Sequence, residues 1–407
     1  MSQPITVIGI GEDGLSGLSQ SARDTLNAAT LIAGGERHLA MLGADDDRER
    51  LAWGKDLAAD IEALGERART ETVCVLASGD PLNYGIAVRM IKILGSDAVR
   101  VLPFPSAFSL AAARMGWSLS DPMLRTVSVH SRPLAALRRD IQPGVKLIVL
   151  SRDGSSPREV AGMLIDMGYG RSPLTVLERI GGEHEKRTDG IAAEGFIQDF
   201  DNLNTVCVDC HAGEDSPVLS RAPGLPDDAY DHDGTITKRD VRAVTLAALA
   251  PMPGERLWDI GAGNGTVAIE WLRAEPAARA VAFERDAGRA ARIRANAAAL
   301  GVPELEIVEG DFPAALDKST PAPDVVFIGG GIAASPAVIT AAVEALKPGG
   351  RIVANAVTLE AQGYLMSAAR AIGGELVRIG IAQAQPVGEL TALKPAIDVL
   401  QWRSVKP

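Results

Sequence analysis

The chain has 407 residues, of which 46% are hydrophobic and 23% are charged, a composition typical of soluble globular proteins. At about 100–200 residues per domain, this length predicts two to four domains. The formal net charge of −11 argues against a broad nucleic-acid-binding surface, which requires clustered Lys and Arg. It still allows a local cationic site for a small anion.

The ends and the hydropathy of the chain indicate its compartment. No basic segment followed by an apolar run opens the sequence, and no apolar stretch reaches the length of a membrane span. The 3 cysteines do not form a disulfide framework. We therefore expect a reduced, cytoplasmic protein that binds neither nucleic acid nor membrane.

One cysteine motif has a functional and a structural interpretation. Cys207, Cys210 and His211 form the C-x-x-C-H pattern of c-type haem attachment, but that attachment requires export, for which the sequence shows no signal. A redox C-x-x-C would open a helix after a strand, whereas the segment NTVCVDC alternates like a strand. We therefore interpret both cysteines as residues of a sheet.

The first half alternates between strand and helix patterns. Helix-length stretches, including residues 19–29, 56–67 and 157–167, lie between most of the predicted strands. This alternation predicts an α/β fold, which a Gly- and Pro-rich dip at residues 115–122 divides into two lobes. The predicted strands are ITVIGIG, TLIAGG, TVCVLASGD, VRVLPF, TVSVHS, VKLIVLSR, LTVLERI and NTVCVDC.

A linker separates this half from a second α/β domain. Residues 213–234 are rich in Pro, Gly and Asp without sustained periodicity, so we place the domains at 1–212 and 230–407 and the linker at 213–229. The helix TITKRDVRAVTLAAL precedes the strands LWDI, RAVAFE, LEIVEG, DVVFIGG, RIVANAV, LVRIGIAQA and AIDVLQWR. Helices fit between the strands up to LVRIGIAQA, and we expect the last two strands to close the sheet as an antiparallel pair.

A glycine turn follows the strand LWDI. The motif D-x-G-x-G-x-G, which begins at Asp259, lets the backbone approach a ligand at a helix N-terminus. Its third glycine, Gly265, comes one residue earlier than in the dinucleotide fingerprint, which has glycine at the position of Thr266. This spacing resembles motif I of Rossmann-like methyltransferases, which bind S-adenosylmethionine (SAM). The SAM-binding residues that the resemblance implies here are Asp259, Gly261, Ala262, Gly263, Asn264 and Gly265.

Three later strand ends extend this predicted SAM site. Glu284 ends the next strand about 20 residues after the turn, where an acid can accept both ribose hydroxyls. Asp311 and the adjacent Phe312 follow the third strand, where such methyltransferases hold the adenine edge. Gly330 belongs to a glycine triplet that ends the fourth strand, in the crevice where open α/β sheets bind ligands.

The second domain resembles one group of methyltransferases more closely. The helix GTITKRDVRAVTLAAL, with Thr237 and Lys238, and the segments EGDFPAAL and FIGGG are similar to the cobalamin-pathway enzymes that methylate C-15 and decarboxylate the C-12 acetate. The resemblance covers the chain from about Tyr230 to the end. It implies that Thr237 contributes to the SAM site.

The first domain has a glycine turn of its own and two further loops at strand ends. The segments VIGIGEDG, ASGDPLNYG and LPFPSAF, in this order, resemble the tetrapyrrole methylases, a two-lobed family that binds SAM between its lobes. The resemblance covers about residues 4–210, and TVSVHSRP and LTVLERIGGEHEKRTDG are similar to the branch that methylates C-5. The cofactor-binding residues implied are Gly9, Gly11, Gly79, Asp80, Pro81, Ser106 and Ala107.

Fusion of these two domain types is characteristic of the precorrin-6Y C5,15-methyltransferase (decarboxylating) family, which this chain therefore resembles. The resemblance implies two SAM sites per chain, one for methylation of C-5 and one for methylation of C-15 with loss of carbon dioxide from the C-12 acetate. The expected product is precorrin-8X of cobalamin biosynthesis. The resemblance further implies a precorrin tetrapyrrole as partner and a homo-oligomeric assembly.

This chemistry suits the residues available. Methyl transfer from a sulfonium needs positioning rather than a protein nucleophile, and the conjugated ring can act as the electron sink for decarboxylation. The sequence shows neither a catalytic triad nor a metal-ligand cluster, so we expect no metal. For the substrate carboxylates we predict a cationic patch at Lys238, Arg239 and Arg242. The candidate catalytic residues are His130, Arg132, Lys238 and Asn355.

Three alternatives stay open at this point. The same fusion could act on a cobalt-containing ring of the anaerobic pathway, which the sequence separates poorly from a metal-free ring. A methyltransferase could use another small molecule or RNA as acceptor, although the acidic balance and the first domain count against RNA. A non-catalytic tetrapyrrole carrier is the third, and the intact D-x-G-x-G-x-G and G-D-P motifs count against it.

Overall fold

The computed structural model describes residues 3–130, 132–196, 198–217, 219–317, 319–329 and 336–407. The chain separates into two compact units, which are described one at a time. Unit 1 consists of Met1–Arg132 and Pro143–Ser216, and unit 2 of Pro133–Gln142 and Pro217–Pro407. No described helix is long and apolar enough to cross a membrane.

The first lobe of unit 1 is a parallel sheet with helices between its strands. Its elements are β1 (Ile5–Ile10), α1 (Gln20–Ala28), β2 (Leu31–Gly34), α2 (Glu36–Leu39), β3 (Glu49–Ala52), α3 (Leu57–Arg67), β4 (Val73–Ser78), α4 (Ile86–Leu94) and β5 (Val99–Leu102). The strand order is β3-β2-β4-β1-β5, with parallel pairing throughout. Parallel pairing aligns the carboxyl ends of the strands, so the loops after β4, β1 and β5 are neighbours.

The second lobe is a mixed sheet. Its elements are α5 (Ala107–Met115), β6 (Leu124–Ser128), β7 (Lys146–Leu150), α6 (Ser156–Asp166), β8 (Pro173–Glu178), β9 (Lys186–Ile191) and β10 (Asn204–Asp209). The order is β6-β7-β10-β8-β9, in which β6 and β7 are parallel and the other pairings are antiparallel. Cys207 lies on β10 as predicted, and burial raises the pKa of its thiol to about 12. The same prediction is wrong for Cys210, which directly follows the end of the strand.

Unit 2 is built on a mostly parallel sheet. Its helices are α7 (Arg239–Leu249), α8 (Thr266–Ala274), α9 (Ala287–Ala299), α10 (Ala337–Ala345) and α11 (Leu359–Ile372). Its strands are β11 (Arg256–Ile260), β12 (Arg279–Glu284), β13 (Glu306–Glu309), β14 (Val325–Ile328), β15 (Arg351–Ala356), β16 (Glu375–Ile379), β17 (Ala382–Val387), β18 (Leu390–Pro395) and β19 (Val399–Val405). The main sheet has the order β13-β12-β11-β14-β15-β19-β16, and β17 pairs with β18 in a separate hairpin.

The predicted fold class is confirmed, with three local differences. The predicted antiparallel pair at the end of the sheet is confirmed as β16 and β19. The sequence analysis missed β3 and β9, which are polar and largely exposed, and the β17–β18 hairpin, which is exposed throughout. The helix predicted between β13 and β14 is wrong, because the described part of residues 310–324 contains turns and no helix.

Residues 133–142 belong to unit 2, although residues of unit 1 surround them in the sequence. Arg139 Nη1 donates to Glu304 Oε1 at 2.7 Å, across 165 positions of the chain. Gln142 Nε2 donates to the Leu219 carbonyl oxygen at 3.0 Å. No local pattern indicates this placement, because the partners are remote in sequence.

A buried charge network holds the end of the linker against unit 2. Arg242 on α7 is 0% exposed, and its Nε donates to Glu270 Oε1 on α8 at 2.6 Å. Its Nη1 donates to Asp227 Oδ1 at 3.1 Å. Glu270 also accepts from the Gly224 nitrogen at 2.6 Å and from the Tyr230 hydroxyl at 3.0 Å. The prediction of Arg242 as part of a surface cationic patch is therefore wrong, because its charge is neutralised inside the unit.

We expect Glu270→Ala to lower the free energy of unfolding of unit 2 by about 3–5 kcal/mol, because a buried guanidinium would lose its main counter-charge. Urea titrations of the full chain, read by hydrogen exchange in α7 and α8, measure this loss. The control is Arg294→Ala, which breaks an exposed ion pair with Glu309 and should cost less than about 1 kcal/mol. Equal losses in the two variants would contradict this account of the network.

Candidate cofactor and substrate sites

Unit 1 contains a cavity of about 420 Å³ at the strand ends of its two lobes. This volume lies within the range of roughly 300–1,000 Å³ that small-molecule sites occupy. The predicted site residues that line it are Gly11, Gly79, Asp80, Ser106, Ala107 and His130. Loops that are far apart in the sequence thus meet around one space.

Three other predicted residues do not belong to the wall that the described residues form: Gly9, Pro81 and Arg132. Gly9 lies on β1, where a Cβ would be 2.0 Å from the Gly79 carbonyl oxygen, so only glycine lets the two backbones approach this closely. Pro81 is buried, and the Arg132 guanidinium lies 5.8 Å from the ring centroid of Tyr84.

Asp80 and Ser106 have local structural roles at the edge of the cavity. Asp80 Oδ1 accepts from the Leu82 nitrogen at 2.9 Å, as is typical of an Asp-Pro turn. Ser106 Oγ accepts from the Ser109 nitrogen at 3.2 Å and caps α5. Both side chains therefore hold their loops in place and also border the space available to a ligand.

In unit 2 the glycine turn connects β11 to α8 at the carboxyl edge of the sheet. Gly265 has φ +79°, and a Cβ there would lie 2.8 Å from Ile293 Cγ2, so the packing of the turn against α9 requires glycine. The nitrogens of Gly261 and Ala262 donate to the Phe283 carbonyl oxygen at 3.0 and 3.1 Å. These bonds fix the turn to the end of β12.

Glu284 connects the glycine turn to the next strand. It is 5% exposed, its Oε2 accepts from the Gly263 nitrogen at 2.8 Å, and its Oε1 accepts from the Asp286 nitrogen at 3.0 Å. Each carboxylate oxygen can accept a second hydrogen bond, so this geometry is compatible with ribose hydroxyls at the same group. A Cβ added to Gly263 would meet only the Thr235 carbonyl oxygen, 4.0 Å away, among the described atoms, which leaves the surface beside the turn open.

Asp259 supports the turn from inside the unit. It is 1% exposed, and its Oδ2 accepts from the Ala268 nitrogen in the first turn of α8 at 3.1 Å. Its Oδ1 is buried without a hydrogen-bond partner among the described residues. Burial, with a smaller contribution from the Glu284 charge, raises the pKa of Asp259 to about 7. Direct contact of Asp259 with a cofactor stays a prediction.

The segment that precedes α7 is bonded to the glycine turn. Asn264 Nδ2 donates to the Thr235 carbonyl oxygen at 2.7 Å, and Arg292 Nη1 donates to Asn264 Oδ1 at 3.2 Å. Arg289 Nε donates to Asp233 Oδ2 at 2.8 Å and lowers the pKa of that carboxyl below its usual range. These contacts hold the segment that leads to the predicted residue Thr237 against the turn.

The remaining predicted cofactor residues of unit 2 differ in exposure. Asp311 is exposed, and its Oδ1 lies 3.8 Å from Arg285 Nη1. Phe312 is buried, and its ring centroid lies 6.0 Å from that of Trp258 in the core. Gly330 lies outside the described residues. Asp311 is thus accessible to a ligand, whereas Phe312 packs beneath the site.

The two candidate catalytic residues of unit 2 have different surroundings. The Lys238 side chain is 60% exposed, with its Nζ 3.7 Å from Asp227 Oδ2. Asn355 Nδ2 donates to Thr245 Oγ1 at 2.9 Å, and its Oδ1 accepts from Gln401 Nε2 at 2.8 Å. Lys238 can reach a ligand carboxylate, whereas the Asn355 amide is oriented by neighbouring polar side chains. Among the described residues, no group of three or more His, Cys, Asp or Glu could hold a metal ion.

Two family models and several relatives match this chain. Tetrapyrrole (Corrin/Porphyrin) Methylases match residues 4–194, and the Precorrin methyltransferase domain matches residues 228–406. A precorrin-6Y C(5,15)-methyltransferase (decarboxylating) of Sinorhizobium sp is 45% identical over 402 residues, which cover 99% of this chain and 96% of the relative. The chain belongs to the precorrin-6Y C(5,15)-methyltransferase (decarboxylating) family.

One further relative and one solved structure are also similar to this chain. A protein of the same name from Mycobacterium tuberculosis strain ATCC 25618 / H37Rv is 42% identical over 405 residues, with 99% of this chain and 100% of the relative covered. The crystal structure of the C-terminal domain of the precorrin-6Y C5,15-methyltransferase from Rhodobacter capsulatus is 46% identical. It covers 46% of this chain and 100% of that chain, with a TM-score of 0.44. The predicted family and the predicted methyltransferase class are confirmed.

The sequence analysis of this precorrin-6Y C(5,15)-methyltransferase family member missed a polar cluster in the unit 1 cavity. Glu12, Arg37, His38 and Ser78 all line the cavity. Arg37 forms an ion pair with Glu12, and its Nη2 donates to Ser78 Oγ at 2.8 Å. The sequence feature that could have indicated this cluster is the segment GGERHL, which directly follows a predicted strand. This segment contributes to the cavity because β2 lies beside β4, and the local sequence pattern does not show that pairing.

We expect Asp259→Asn to change how stability depends on pH. The folded chain keeps the Asp259 proton up to about pH 7. The unfolded chain loses this proton at about pH 4, so the stability of the wild type falls as the pH rises from about 4 to about 7. The variant keeps an acceptor for the Ala268 nitrogen and cannot ionise. Its stability relative to the wild type should therefore rise between pH 4 and 7, by up to about 4 kcal/mol.

Urea titrations at pH 5 and pH 8, read by hydrogen exchange in α8, measure this difference. Glu309→Gln, which changes an exposed carboxyl of the same unit, is the control and should follow the wild-type profile. A difference between Asp259→Asn and the wild type that stays constant with pH would show that the Asp259 carboxyl does not titrate in this range.

Proposed function

We propose that this chain uses SAM to methylate precorrin-6Y at C-5 and C-15 and releases carbon dioxide from the C-12 acetate, giving precorrin-8X. The observation that carries the proposal is the match over 99% of the chain to a relative that bears this activity in its name. The site geometry supports it, because two separate glycine turns lie at the carboxyl edges of parallel strands.

The two methylations are divided between the domains in this proposal. Residues 1–212 methylate C-5, residues 230–407 methylate C-15 and decarboxylate, and residues 213–229 are the linker. The separate matches of two family models, at residues 4–194 and 228–406, support this division. Each domain then holds one SAM, which makes two cofactor sites per chain.

The residues present fit SAM at both sites. In unit 1 the cavity of about 420 Å³ is bordered by the predicted loops, and Asp80 supplies a carboxylate there. In unit 2 the open surface at Gly263 lies beside the Glu284 carboxylate, and the exposed Asp311 supplies an acceptor for an adenine amino group. When bound, SAM supplies the electrophilic methyl group.

The protein contribution to each transfer is placement and proton handling. In unit 1, His130 lines the cavity and is the candidate for accepting the proton that leaves the methylated ring. The Arg132 guanidinium lies 5.8 Å from the ring centroid of Tyr84, which also lines the cavity. In unit 2, Lys238 is the candidate partner for a ring carboxylate, and Asn355 supports the end of β15. Loss of carbon dioxide leaves electrons on the conjugated ring, so it needs no protein nucleophile.

We expect site variants to separate the two halves of the reaction. Asp80→Asn keeps the bond to the Leu82 nitrogen but removes the charge, and its product should lose carbon dioxide yet carry one methyl fewer. Asp311→Asn should yield a product with one methyl fewer that retains the carboxyl group. Each affected step should slow roughly tenfold to a hundredfold, as expected when a hydrogen bond to a charged group is lost. Mass spectrometry of products formed from precorrin-6Y and SAM measures both.

Matched controls exist for each variant. Asp121 forms the same kind of turn, accepting from the Met123 nitrogen at 2.8 Å, and Asp121→Asn should leave the product unchanged. Glu309→Gln is the corresponding control for Asp311→Asn. Calorimetric titration of the wild type should give two SAM per chain. A wild type that adds a single methyl, or that binds the ring without methylating it, would contradict the proposed function.

We also propose that the protein is a cytoplasmic homo-oligomer. The β17–β18 hairpin supports this assembly, because a hairpin on its own is marginally stable and this one exposes Val387 (62%), Leu390 (77%) and Leu393 (71%). Sedimentation equilibrium should therefore give a mass above that of one chain. The double variant Leu390→Ser and Leu393→Ser should shift the distribution towards the monomer, and a wild-type monomer at micromolar concentration would contradict the proposal.

A further inference from the structure

The cavity of unit 1 has two ends, which the strand order β3-β2-β4-β1-β5 defines. The loops predicted to bind the cofactor follow β4, β1 and β5. At the other end lie Gly35, Arg37, His38 and Trp53, which follow β2 and β3 and also line the cavity. Since neighbouring strands are about 4.8 Å apart, β2 and β5 are separated by roughly 14 Å. The β2–β3 side of the cavity is therefore remote from the loop after β5 and adjacent to the end of β4, where Ser78 contacts His38.

The hydrogen bonds of His38 define its tautomer. Arg37 Nη2 lies 3.1 Å from His38 Nε2, and a guanidinium nitrogen can only donate. Ser78 Oγ, which accepts from Arg37, lies 2.9 Å from the same Nε2 and can donate its own proton to it. Nε2 is therefore an acceptor, and the ring proton of a neutral His38 is on Nδ1.

His38 is neutral in the folded chain. Burial, followed by the charge of Arg37, lowers the pKa of His38 from 6.5 to about 4. The ring is consequently an uncharged donor through Nδ1–H across the physiological pH range.

Nothing in the described protein accepts this proton. Nδ1 of His38 is buried and has no hydrogen-bond partner among the described residues. The nearest space is kept clear by Gly35, where a Cβ would lie 3.4 Å from Nδ1. Gly35 has φ −69° and ψ 150°, which any residue can adopt, so its backbone does not demand glycine. The missing side chain instead leaves space beside the His38 ring, on the side from which a ligand acceptor would have to approach the buried Nδ1.

We propose that His38 is a substrate-binding residue whose Nδ1–H donates to a carboxylate oxygen of the tetrapyrrole acceptor in unit 1. This assignment rests on the proposed function for the identity of the acceptor. Arg37 and Ser78 act through His38, because they hold its tautomer and ring orientation. A buried donor of this kind discriminates strongly, since a ligand without a matching acceptor leaves it unpaired.

The acceptor ring suits this end of the cavity better than SAM does. Trp53 lines the same end and offers an aromatic surface to a conjugated ring. The predicted SAM loops follow β4, β1 and β5, of which only β4 is adjacent to β2. SAM also carries a carboxylate, so the experiment must distinguish the two molecules as sources of the acceptor oxygen.

The test compares variants of the full chain in equilibrium titrations with precorrin-6Y and, separately, with SAM. His38→Gln removes the donor from the Nδ1 position, and Gly35→Ala covers it with a methyl group. Both should raise the Kd for precorrin-6Y, the first by roughly tenfold to a hundredfold, with an unchanged Kd for SAM. His38→Asn places its amide nitrogen near the Nδ1 position and should recover most of the affinity. The control His211→Gln changes an exposed histidine outside the described cavity wall.

Steady-state kinetics of C-5 methylation provide a second measurement. His38→Gln should raise KM for precorrin-6Y while kcat stays near the wild-type value, which a general folding defect would not produce. Unchanged affinity for precorrin-6Y in both His38→Gln and Gly35→Ala would overturn the proposal. A loss of SAM affinity instead would also overturn it, by assigning His38 to the cofactor. A wild type that binds precorrin-6Y without methylating it would refute the proposed function, and the titrations would still decide the role of His38.

Discussion

Parallel strand pairing is the constraint on which both sites depend. In unit 1, β1 pairs in parallel with β4 and β5, and in unit 2, β11 pairs in parallel with β12 and β14. Parallel pairing places the carboxyl ends of these strands along one edge, where the following loops must meet. Glycine at the closest approaches, as at Gly9 against the Gly79 carbonyl group, lets the backbones come near enough to share a ligand.

Buried carboxylates then fix the shape of the loops. Glu284 and Asp259 accept hydrogen bonds from backbone nitrogens of the glycine turn and α8, and Glu270 does the same for the end of the linker. A buried carboxyl group that lost its hydrogen bonds would be destabilised, so these groups are costly to move and hold the turn in place. Asp311 and Lys238 are exposed and remain the predicted ligand contacts of unit 2. The buried carboxyl groups thus support the turn, whereas the predicted binding groups lie at the surface.

The unit 1 cavity also contains two groups of residues in different places. The predicted SAM loops follow β4, β1 and β5, while His38, Arg37 and Trp53 line the cavity beside β2 and β3. Methyl transfer requires the donor and acceptor molecules to meet in line, so in the proposed function this cavity would contribute mainly by placing the two molecules. This agrees with a site that contains polar and aromatic side chains but relies on no protein nucleophile.

The sequence by itself determined the α/β class, most strands and helices, the family, and the strand ends at which ligand loops occur. The fold class and the elements follow from local periodicity, which neighbouring residues encode directly, whereas the family and the predicted ligand loops follow from the resemblance of short motifs to known methyltransferases. Exposed elements such as β3, β9 and the β17–β18 hairpin were missed because they lack the sustained apolar pattern of a buried strand. Only the tertiary structure showed that Arg242 is buried against Glu270, that residues 133–142 belong to unit 2, and that His38 lies in the cavity. Each of these features depends on which segments, remote from each other in the sequence, pack together. Burial and charge pairing over the whole chain determine that packing, and no local sequence pattern does.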